Sequence, residues 1–348
     1  MHCFKQTKIA IFSDLHIGVH QDSKYWHDIT WEWANWFIDD IKKKGIKDVV
    51  FCGDYFHTRD EVSVDTLHFG TKVLELFNDF NIFMLVGNHD CFLKDSSKVN
   101  SISPYSNWPN ITIIDTPLSI NQFGTKVNFI PWGIKLNEIP NADITFGHFE
   151  IQLFRMNTYS LCDDGFLAEK ILEKSPLVIS GHFHLKDDKN YNNGKILYVG
   201  NPFQMDFNDA GTTKGYYILD LETKVLDFTE NTVSPKHQNI TLSSLITEKT
   251  ITDKIKQKFK DNLVRLKMDR RISPDDSEFL IGVLKSLNPK QFNIEYETNI
   301  SEYELEEEKR DFSGIDIQQA IIEFIDMMDT NNKKDLINYT IELYQQTV

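Results

Sequence analysis

Six short apolar runs within the first 230 residues each end in a small polar cluster, and this repeated ending constrains the fold more than any other feature of the chain. The runs are KIAIFSDLH, DVVFCGDYFH, NIFMLVGNHD, ADITFGHFE, PLVISGHFH and KILYVGNPF. Segments of this length, rich in β-branched and aromatic residues and closed by Gly, Asp, Asn or His, read as buried strands that stop at a working edge. Helix-length stretches lie between some of them. From Tyr25 to Lys44, the residues Trp26, Ile29, Trp33, Phe37 and Ile41 recur at three- and four-residue spacing and mark one buried helix face. Strands alternating with helices predict an α/β sandwich, in which functional groups gather beyond the strand ends.

A length of 348 residues predicts two domains, or three if one is a small appendage. With 41% hydrophobic and 26% charged residues, the composition is globular and excludes collagen, mucin-like and disordered classes. No apolar run reaches the length of a membrane span, and Met1 to Lys8 lacks the apolar stretch of a signal peptide. The expectation is a soluble, cytoplasmic protein, in the host cytoplasm if phage-encoded. Cys3, Cys52, Cys91 and Cys162 are too scattered for a C-x-x-C clip and read as reduced thiols. The formal charge, 37 − 52 = −15, argues against a passive nucleic-acid coat but not against an enzyme that gathers cations.

The texture changes near Ser234 and Pro235. Asn239 to Glu297 reads as strand, helix, strand, helix, strand, with NLVRLKMD as the middle strand and Pro274 to Leu287 as a helix opened by Pro. Glu295 to Asp311 carries eight acids against two bases, a solvated linker by composition. Two amphipathic segments follow, Ile315 to Met328 and Lys334 to Gln346, whose apolar faces need a partner groove or the chain's own surface. The expected organisation is therefore 1–235, 236–298 and 299–348. No internal repeat is evident.

Six of the eleven histidines fall in the strand-end clusters: His16, His57, His89, His148, His182 and His184. A lone histidine is most simply a hydrogen-bonded structural residue, but six that each follow a β-type run beside Asp, Asn or His point jointly to a site. Asp14 and His16, one residue apart, are expected on the same side of a strand continued past its end, and His182 and His184 repeat that spacing after a turn at Gly181. Asp54 adds a carboxylate, Asn88 an amide oxygen and His148 another imidazole. Such a set can hold two ions if one carboxylate bridges, and imidazole with carboxylate but no thiolate favours Mn, Fe or Zn over Mg or Ca. Cys52 would share the side of Asp54, either behind the site or in core packing. Two ions about 3.5–4 Å apart would clamp a phosphate and lower the pKa of a bridging water for in-line attack, which is phosphoester hydrolysis without a covalent enzyme intermediate. His89 is expected to face away from Asn88 and toward substrate, there to stabilise phosphoryl charge or protonate the leaving oxygen, with Asp90 placed to orient it. No G-x-S-x-G elbow, G-x-x-x-x-G-K-[ST] loop or G-x-G-x-x-G fingerprint competes.

The strings DLH, GDYFHTRD, GNHD, GHF and GHFH, in that order, resemble the calcineurin-like metallophosphoesterase superfamily. GDYFH followed by Arg59, and YVGNPFQMDFND after the His pair, resemble its SbcD branch, the bacterial and phage relatives of the meiotic-recombination nuclease. The protein-phosphatase pattern, GD before Asp-Arg-Gly and then GNHE, does not occur. A compact chain with this tail is similar to a phage recombination endonuclease subunit. The resemblance implies a four-layer α/β/β/α sandwich with a small α+β DNA-binding cap and a C-terminal helical tail. It also implies that Asp14, His16, Asp54 and His184 hold one manganese and Asp54, Asn88, His148 and His182 the other, with Asp54 as bridge. By the same resemblance His89 is the catalytic histidine, and His57 handles DNA ends in the exonuclease reaction, set against a plain hydrogen-bonded role at the sheet edge. The implied partners are DNA and an SbcC-type ATP-binding-cassette ATPase bound by the C-terminal helices, in a homodimer within a heterotetramer that serves recombination and double-strand-break repair.

Two features depart from the family pattern. Gly200-Asn201-Pro202 stands where Gly-Ser-Pro is usual, and only six Arg supply bidentate phosphate clamps. The local exception is Thr252 to Arg271, with eight bases against three acids. Lys254, Lys256, Lys258, Lys260, Arg265, Lys267, Arg270 and Arg271 are its candidate DNA track, set against an ordinary solvated helix face. The rival functions are a small-nucleotide phosphodiesterase without a DNA role and an inactive metallophosphoesterase-shaped scaffold.

Overall fold

Side-chain alternation along the first strand, β1 (Lys8–Phe12), separates two cores: Ile9 and Ile11 enter one and Ala10 and Phe12 the other. In the strands β2 (Asp48–Phe51) and β3 (Asn81–Leu85) the same rule sends Val50, Phe83 and Leu85 with Ile9, and Val49, Phe51, Ile82 and Met84 with Ala10. The computed structural model describes residues 3–296, except 159, 248–251 and 271, and beyond them 333, 334 and 337. Residues 1–295 form one compact unit and 296–348 a second.

After β3 come a small antiparallel pair, β4 (Cys91–Leu93) and β5 (Ser96–Asn100), and then β6 (Ile111–Ile114). A second sheet collects β7 (Leu118–Gln122), β8 (Thr125–Ile130), β9 (Ile144–His148), β10 (Leu177–Gly181), β11 (Asp187–Tyr191) and β12 (Gly194–Tyr198), in the order β11-β12-β10-β9-β8-β7. The chain then returns through β13 (Gly215–Asp220) and β14 (Leu226–Glu230) to complete the first sheet, β14-β13-β1-β2-β3-β6. β1, β2, β3 and β6 are mutually parallel, as are β8, β9, β10 and β12. Antiparallel strands occupy only the flanks.

Between the sheets, Phe83 stacks on Phe129 with ring centroids 4.8 Å apart. Outside the first sheet, the helices Lys24–Lys43 and Val64–Glu75 bury Trp33, Phe37, Ile41, Val73 and Leu74 against it. Ser63 caps the second of these, its hydroxyl accepting from the Thr66 N–H. Outside the second sheet, Ile171 and Leu172 of the Ala168–Leu172 helix pack on Val178, Ile196 and Tyr198. Burial of each such side chain contributes about 1.5–3 kcal/mol. The result is the four-layer α/β/β/α sandwich that the family resemblance implied, and the Tyr25 to Lys44 helix read from sequence spans Lys24–Lys43. Because the central strands of both sheets are parallel, their carboxyl ends deliver the DLH, GD, GNH, GH and GHFH clusters to one edge.

The three-stranded sheet β15 (His237–Thr241), β16 (Leu263–Met268) and β17 (Gln291–Tyr296) belongs to the same compact unit. With the helices Asp253–Phe259 and Pro274–Ser286 it builds its own core from Ile240, Phe259, Val264, Leu266 and Leu284. An aromatic stack ties it to the sandwich: the His237 ring lies parallel to Trp26 at 6.0 Å and edge-on to Phe207 at 4.7 Å, and the Arg265 guanidinium covers Phe207 at 4.1 Å. Glu295 and Tyr296, read from sequence as the start of the acidic linker, instead end β17; the linker from residue 297 on, the segment Ile315 to Met328, and Lys334 to Gln346 apart from residues 334 and 337 lie outside the described residues. No helix among the described residues is long and apolar enough to cross a membrane.

His237 is 2% exposed and its Nδ1 has no hydrogen-bond partner among the described residues. Burial pulls its pKa from the ordinary 6.5 to about 4. Since the folded state resists the proton that the unfolded chain accepts, stability is complete above pH 6.5 and falls as pH drops toward 4, by at most about 3 kcal/mol from this residue. The Tm of a His237→Phe variant, followed between pH 7 and 4, should decline less steeply than that of the native protein.

Candidate metal centre and active site

Seven side chains singled out in the sequence converge at the shared edge of the two sheets. Asp14, His16, Asp54, Asn88 and His148 are all buried, and His182 and His184 are half-buried. Asp54 lies at their centre. Its Oδ2 is 3.3 Å from His148 Nε2 and 3.6 Å from His16 Nε2, while its Oδ1 accepts from the His89 backbone N–H at 2.8 Å. His16 Nε2 and His184 Nε2 stand 2.9 Å apart. On the other side, His148 Nε2 and His182 Nδ1 each lie 2.8 Å from the side-chain amide of Asn88. Asp14 accepts from the His182 backbone N–H at 3.1 Å, which pins the first sheet to the second.

The backbone reaches this arrangement by a route that strand alternation does not describe. β1 ends at Phe12, and Asp14 (φ 54°) and His16 (φ 46°) both adopt left-handed conformations, as do Asp54 (φ 64°) and His182 (φ 94°). The two DLH side chains do share a side, but through two left-handed residues and not through an extended continuation. Such conformations cost on the order of 1–3 kcal/mol each and persist where the surroundings fix them. Likewise the turn before the His pair falls at His182, not at Gly181. Gly181 still ends β10, where a Cβ would collide with Ser13 Oγ and the Cys52 carbonyl. Gly53, at φ 102°, leaves room for the His148 ring.

Burial and charge set the protonation pattern. Burial holds His16 well below the ordinary histidine value and brings His184 down to about 4, so both rings are neutral with lone pairs available. Burial pushes Asp14 up to about 7. Asp54 resists burial because His148, and then His16, hold it below the usual carboxylate range, and His148 is raised to about 9 against its own burial by Asp54. A buried knot of acids and imidazoles in which a protonated ring is the countercharge is suited to exchange that proton for a cation. The donor set fits divalent ions: the groups Asp14, His16, His184 and Asp54, His148, His182 each bring ligand atoms within 4.8 Å of one another.

His89 lies beside this cluster. Its ring is 4.7 Å from that of His16 and stacks at 5.6 Å along His57. The group that orients it is the His57 carbonyl, 2.6 Å from His89 Nδ1, and not Asp90. Asp90 instead accepts the backbone N–H groups of Asp54, Tyr55, Phe56 and Gly87 at 2.9, 2.9, 3.2 and 3.0 Å, tying the GD and GNHD loops together from below. His57 Nδ1 is 3.4 Å from His16 Nδ1. Cys52 is core packing between the sheets, and its carbonyl holds His148 Nδ1 at 2.7 Å. A cavity of about 690 Å³ opens beside His16, His57 and His184, with His20, Gln21 and Glu61 on its walls and no Lys or Arg among its lining residues.

Four neighbours escaped the sequence reading or entered it only as pattern. Glu150 Oε1 lies 3.4 Å from His182 Nε2, and the Trp132 ring lies 5.1 Å from that of His182. Arg59 Nη2 is 2.8 Å from the Asn88 amide. Lys214 Nζ, buried, donates to the His184 carbonyl at 2.8 Å and to Asp209 at 2.5 Å. Glu150 follows His148 by two residues, the spacing of DLH, and that was its available signal; the others come from distant loops. In the basic segment, Lys254, Lys256, Lys258, Lys260 and Arg270 are exposed and Lys267 is half-buried. Lys256 pairs with Asp253, Arg265 with Glu295 and Phe207, and Arg270 Nε donates to the Ser243 hydroxyl. Arg271 lies outside the described residues.

The calcineurin-like phosphoesterase family matches residues 7–208. Exonuclease subunit 1 of enterobacteria phage T4 is 26% identical over 305 residues, covering 78% of this chain and 87% of that protein. Among solved structures, a novel archaeal phosphodiesterase covers 64% of this chain and 99% of its own, at 17% identity and a TM-score of 0.37. GAP50, the anchor in the inner membrane complex of Plasmodium, covers 66% of this chain and 86% of its own, at 16% identity and a TM-score of 0.40.

Removing the Asp90 carboxylate would leave four buried N–H groups without their acceptor. An Asp90→Ala variant should lose at least about 3 kcal/mol of stability in urea unfolding; a loss below about 1 kcal/mol would contradict its pinning role.

Proposed function

This chain belongs to the calcineurin-like phosphoesterase family, and from that premise we propose that it is a DNA nuclease, cutting phosphodiester bonds with two divalent metal ions, most simply manganese, as exonuclease and endonuclease. The observation that carries the reading is the convergence of six nitrogen and oxygen ligands around the buried Asp54 carboxylate, with two further imidazoles, His89 and His57, at the rim. Asp14, His16, Asp54 and His184 hold one ion, and Asp54, Asn88, His148 and His182 hold the other. The position of Asp54 Oδ2 between His16 and His148 supports its role as the bridge.

When bound, the ions supply Lewis-acid polarisation of the scissile phosphate and a more acidic attacking water. The chain's own residues do the rest. With Nδ1 tied to the His57 carbonyl, His89 offers Nε2 to a phosphoryl oxygen or to the leaving oxygen. His57, stacked against His89 and touching His16, borders the cavity where a strand end would enter. Acid side chains on that cavity wall repel additional phosphates, which favours seating a single scissile phosphate over a long stretch of backbone.

DNA as substrate is supported by the similarity to the phage exonuclease subunit, which spans most of both chains. It is supported also by the exposed lysines Lys254, Lys258 and Lys260 on and just after the Asp253–Phe259 helix. The protein acts with an SbcC-type ATPase, bound through the C-terminal segments, as a homodimer within a heterotetramer in recombination and double-strand-break repair.

A linear duplex incubated with the native chain and Mn²⁺ should be degraded, and EDTA should abolish the reaction. His89→Ala should lower turnover about 10²–10⁴-fold while leaving the Mn²⁺ stoichiometry unchanged by calorimetry. Cleavage of bis-para-nitrophenyl phosphate without cleavage of DNA would refute the nuclease reading. Charge reversal at Lys254 and Lys258 should weaken duplex binding and flatten its salt dependence; an unchanged slope would remove these lysines from the DNA track.

A further inference from the structure

His182 faces two ways. On its inner side Nδ1 lies 2.8 Å from the Asn88 amide, and on its outer side Nε2 lies 3.4 Å from Glu150 Oε1. His148 is arranged in the opposite sense, with Nε2 turned inward and Nδ1 held by the neutral Cys52 carbonyl. An imidazole that gives one nitrogen to a metal keeps its proton on the other. Whatever accepts that proton fixes the tautomer, sets the ring angle and raises the basicity of the metal-facing nitrogen.

We propose that Glu150 is a positioning residue for His182, its carboxylate accepting the Nε2–H so that the Nδ1 lone pair is directed at the metal centre. The inference rests on the assignment of His182 as a metal ligand above. Of the other rings beside it among the described residues, His148 has both nitrogens engaged, by the Cys52 carbonyl and the Asn88 amide. Trp132 and Phe183 flank it with centroids 5.1 and 4.9 Å away and limit its tilt, but neither offers an acceptor, and the Trp132 indole N–H is spent on the Lys94 carbonyl. Glu150 is itself held in place by its backbone, whose carbonyl accepts the Phe166 N–H at 2.8 Å just past the end of β9. A carboxylate raises imidazole basicity more than a carbonyl does, so the tautomer of His182 is set by a charge where that of His148 is set by a dipole.

The Glu150 side chain is 44% exposed, so its pairing with His182 contributes little to folding. Its effect should therefore fall on metal affinity and leave stability alone. Calorimetric titration of the full chain with Mn²⁺ is expected to show two binding events in the native protein. In Glu150→Ala one of them should weaken about 10–100-fold, with the urea midpoint unchanged, and Glu150→Gln, which keeps an acceptor oxygen, should recover most of the loss. Long-range ¹H–¹⁵N spectra of the metal-free native protein should place the His182 proton on Nε2, and those of Glu150→Ala should show a tautomer mixture. Native-like affinity in both variants overturns the positioning role, as does equal weakening of both events, which marks general loss of structure. A His182 proton on Nδ1 in the native protein overturns it too. A native chain that binds no Mn²⁺ fails the metal assignment itself, which separates that failure from this one.

Discussion

A carboxylate with 1% exposure, Asp54, is the constraint around which the site is arranged. An isolated buried charge of this kind is strongly disfavoured, so it is tolerated only with compensating partners on every side. Imidazoles of His148 and His16 meet one oxygen, and the His89 N–H meets the other. Beneath it, Asp90 gathers the N–H groups of the GD and GNHD loops, so the loop that carries Asp54 and the loop that carries Asn88 and His89 cannot move independently. Electrostatic need and loop geometry are thus satisfied by the same few contacts.

The layered architecture makes that arrangement possible. Two facing sheets, each with parallel central strands, bring strand ends from distant parts of the chain to one edge, and the aromatic packing between them fixes their separation. Regular strands cannot turn their terminal side chains toward one point. The chain does so through left-handed residues at Asp14, His16, Asp54 and His182, and the rigid cores on both faces hold those residues in place. Local strain here is part of how a phosphoesterase site is preorganised.

Around this centre the charge distribution is uneven. The chain carries a formal charge of −15, and the cavity beside His57 has acids and histidines but no Lys or Arg on its walls, whereas exposed lysines sit on the helix before β16. Positive charge is thereby set apart from the candidate metal centre. The aromatic stack of Trp26, His237 and Phe207 connects the three-stranded sheet that carries the basic segment to the sandwich that carries the site. That contact is short-range, so screening by salt leaves it largely intact.

Six central strands, the strand and helix order of the small three-stranded unit, the buried face of the Lys24–Lys43 helix and the identity of the candidate ligands are legible in the amino-acid order alone, because periodicity and residue chemistry are local properties; the flanking strands are not. It also marked His89 and His57, since six histidines at strand ends cannot be six independent core residues. What each of these residues touches follows from long-range packing. Asp90 looked like the partner of His89 from its adjacency, yet in the fold it serves backbone N–H groups, and a carbonyl from His57 orients the ring. Glu150, Trp132, Arg59 and Lys214 reach the site from loops dozens of residues away from the groups they contact. Their involvement depends on how strands pair and where the chain adopts positive φ, and apart from the two-residue spacing of Glu150 from His148 these outcomes of long-range packing leave no period in the sequence.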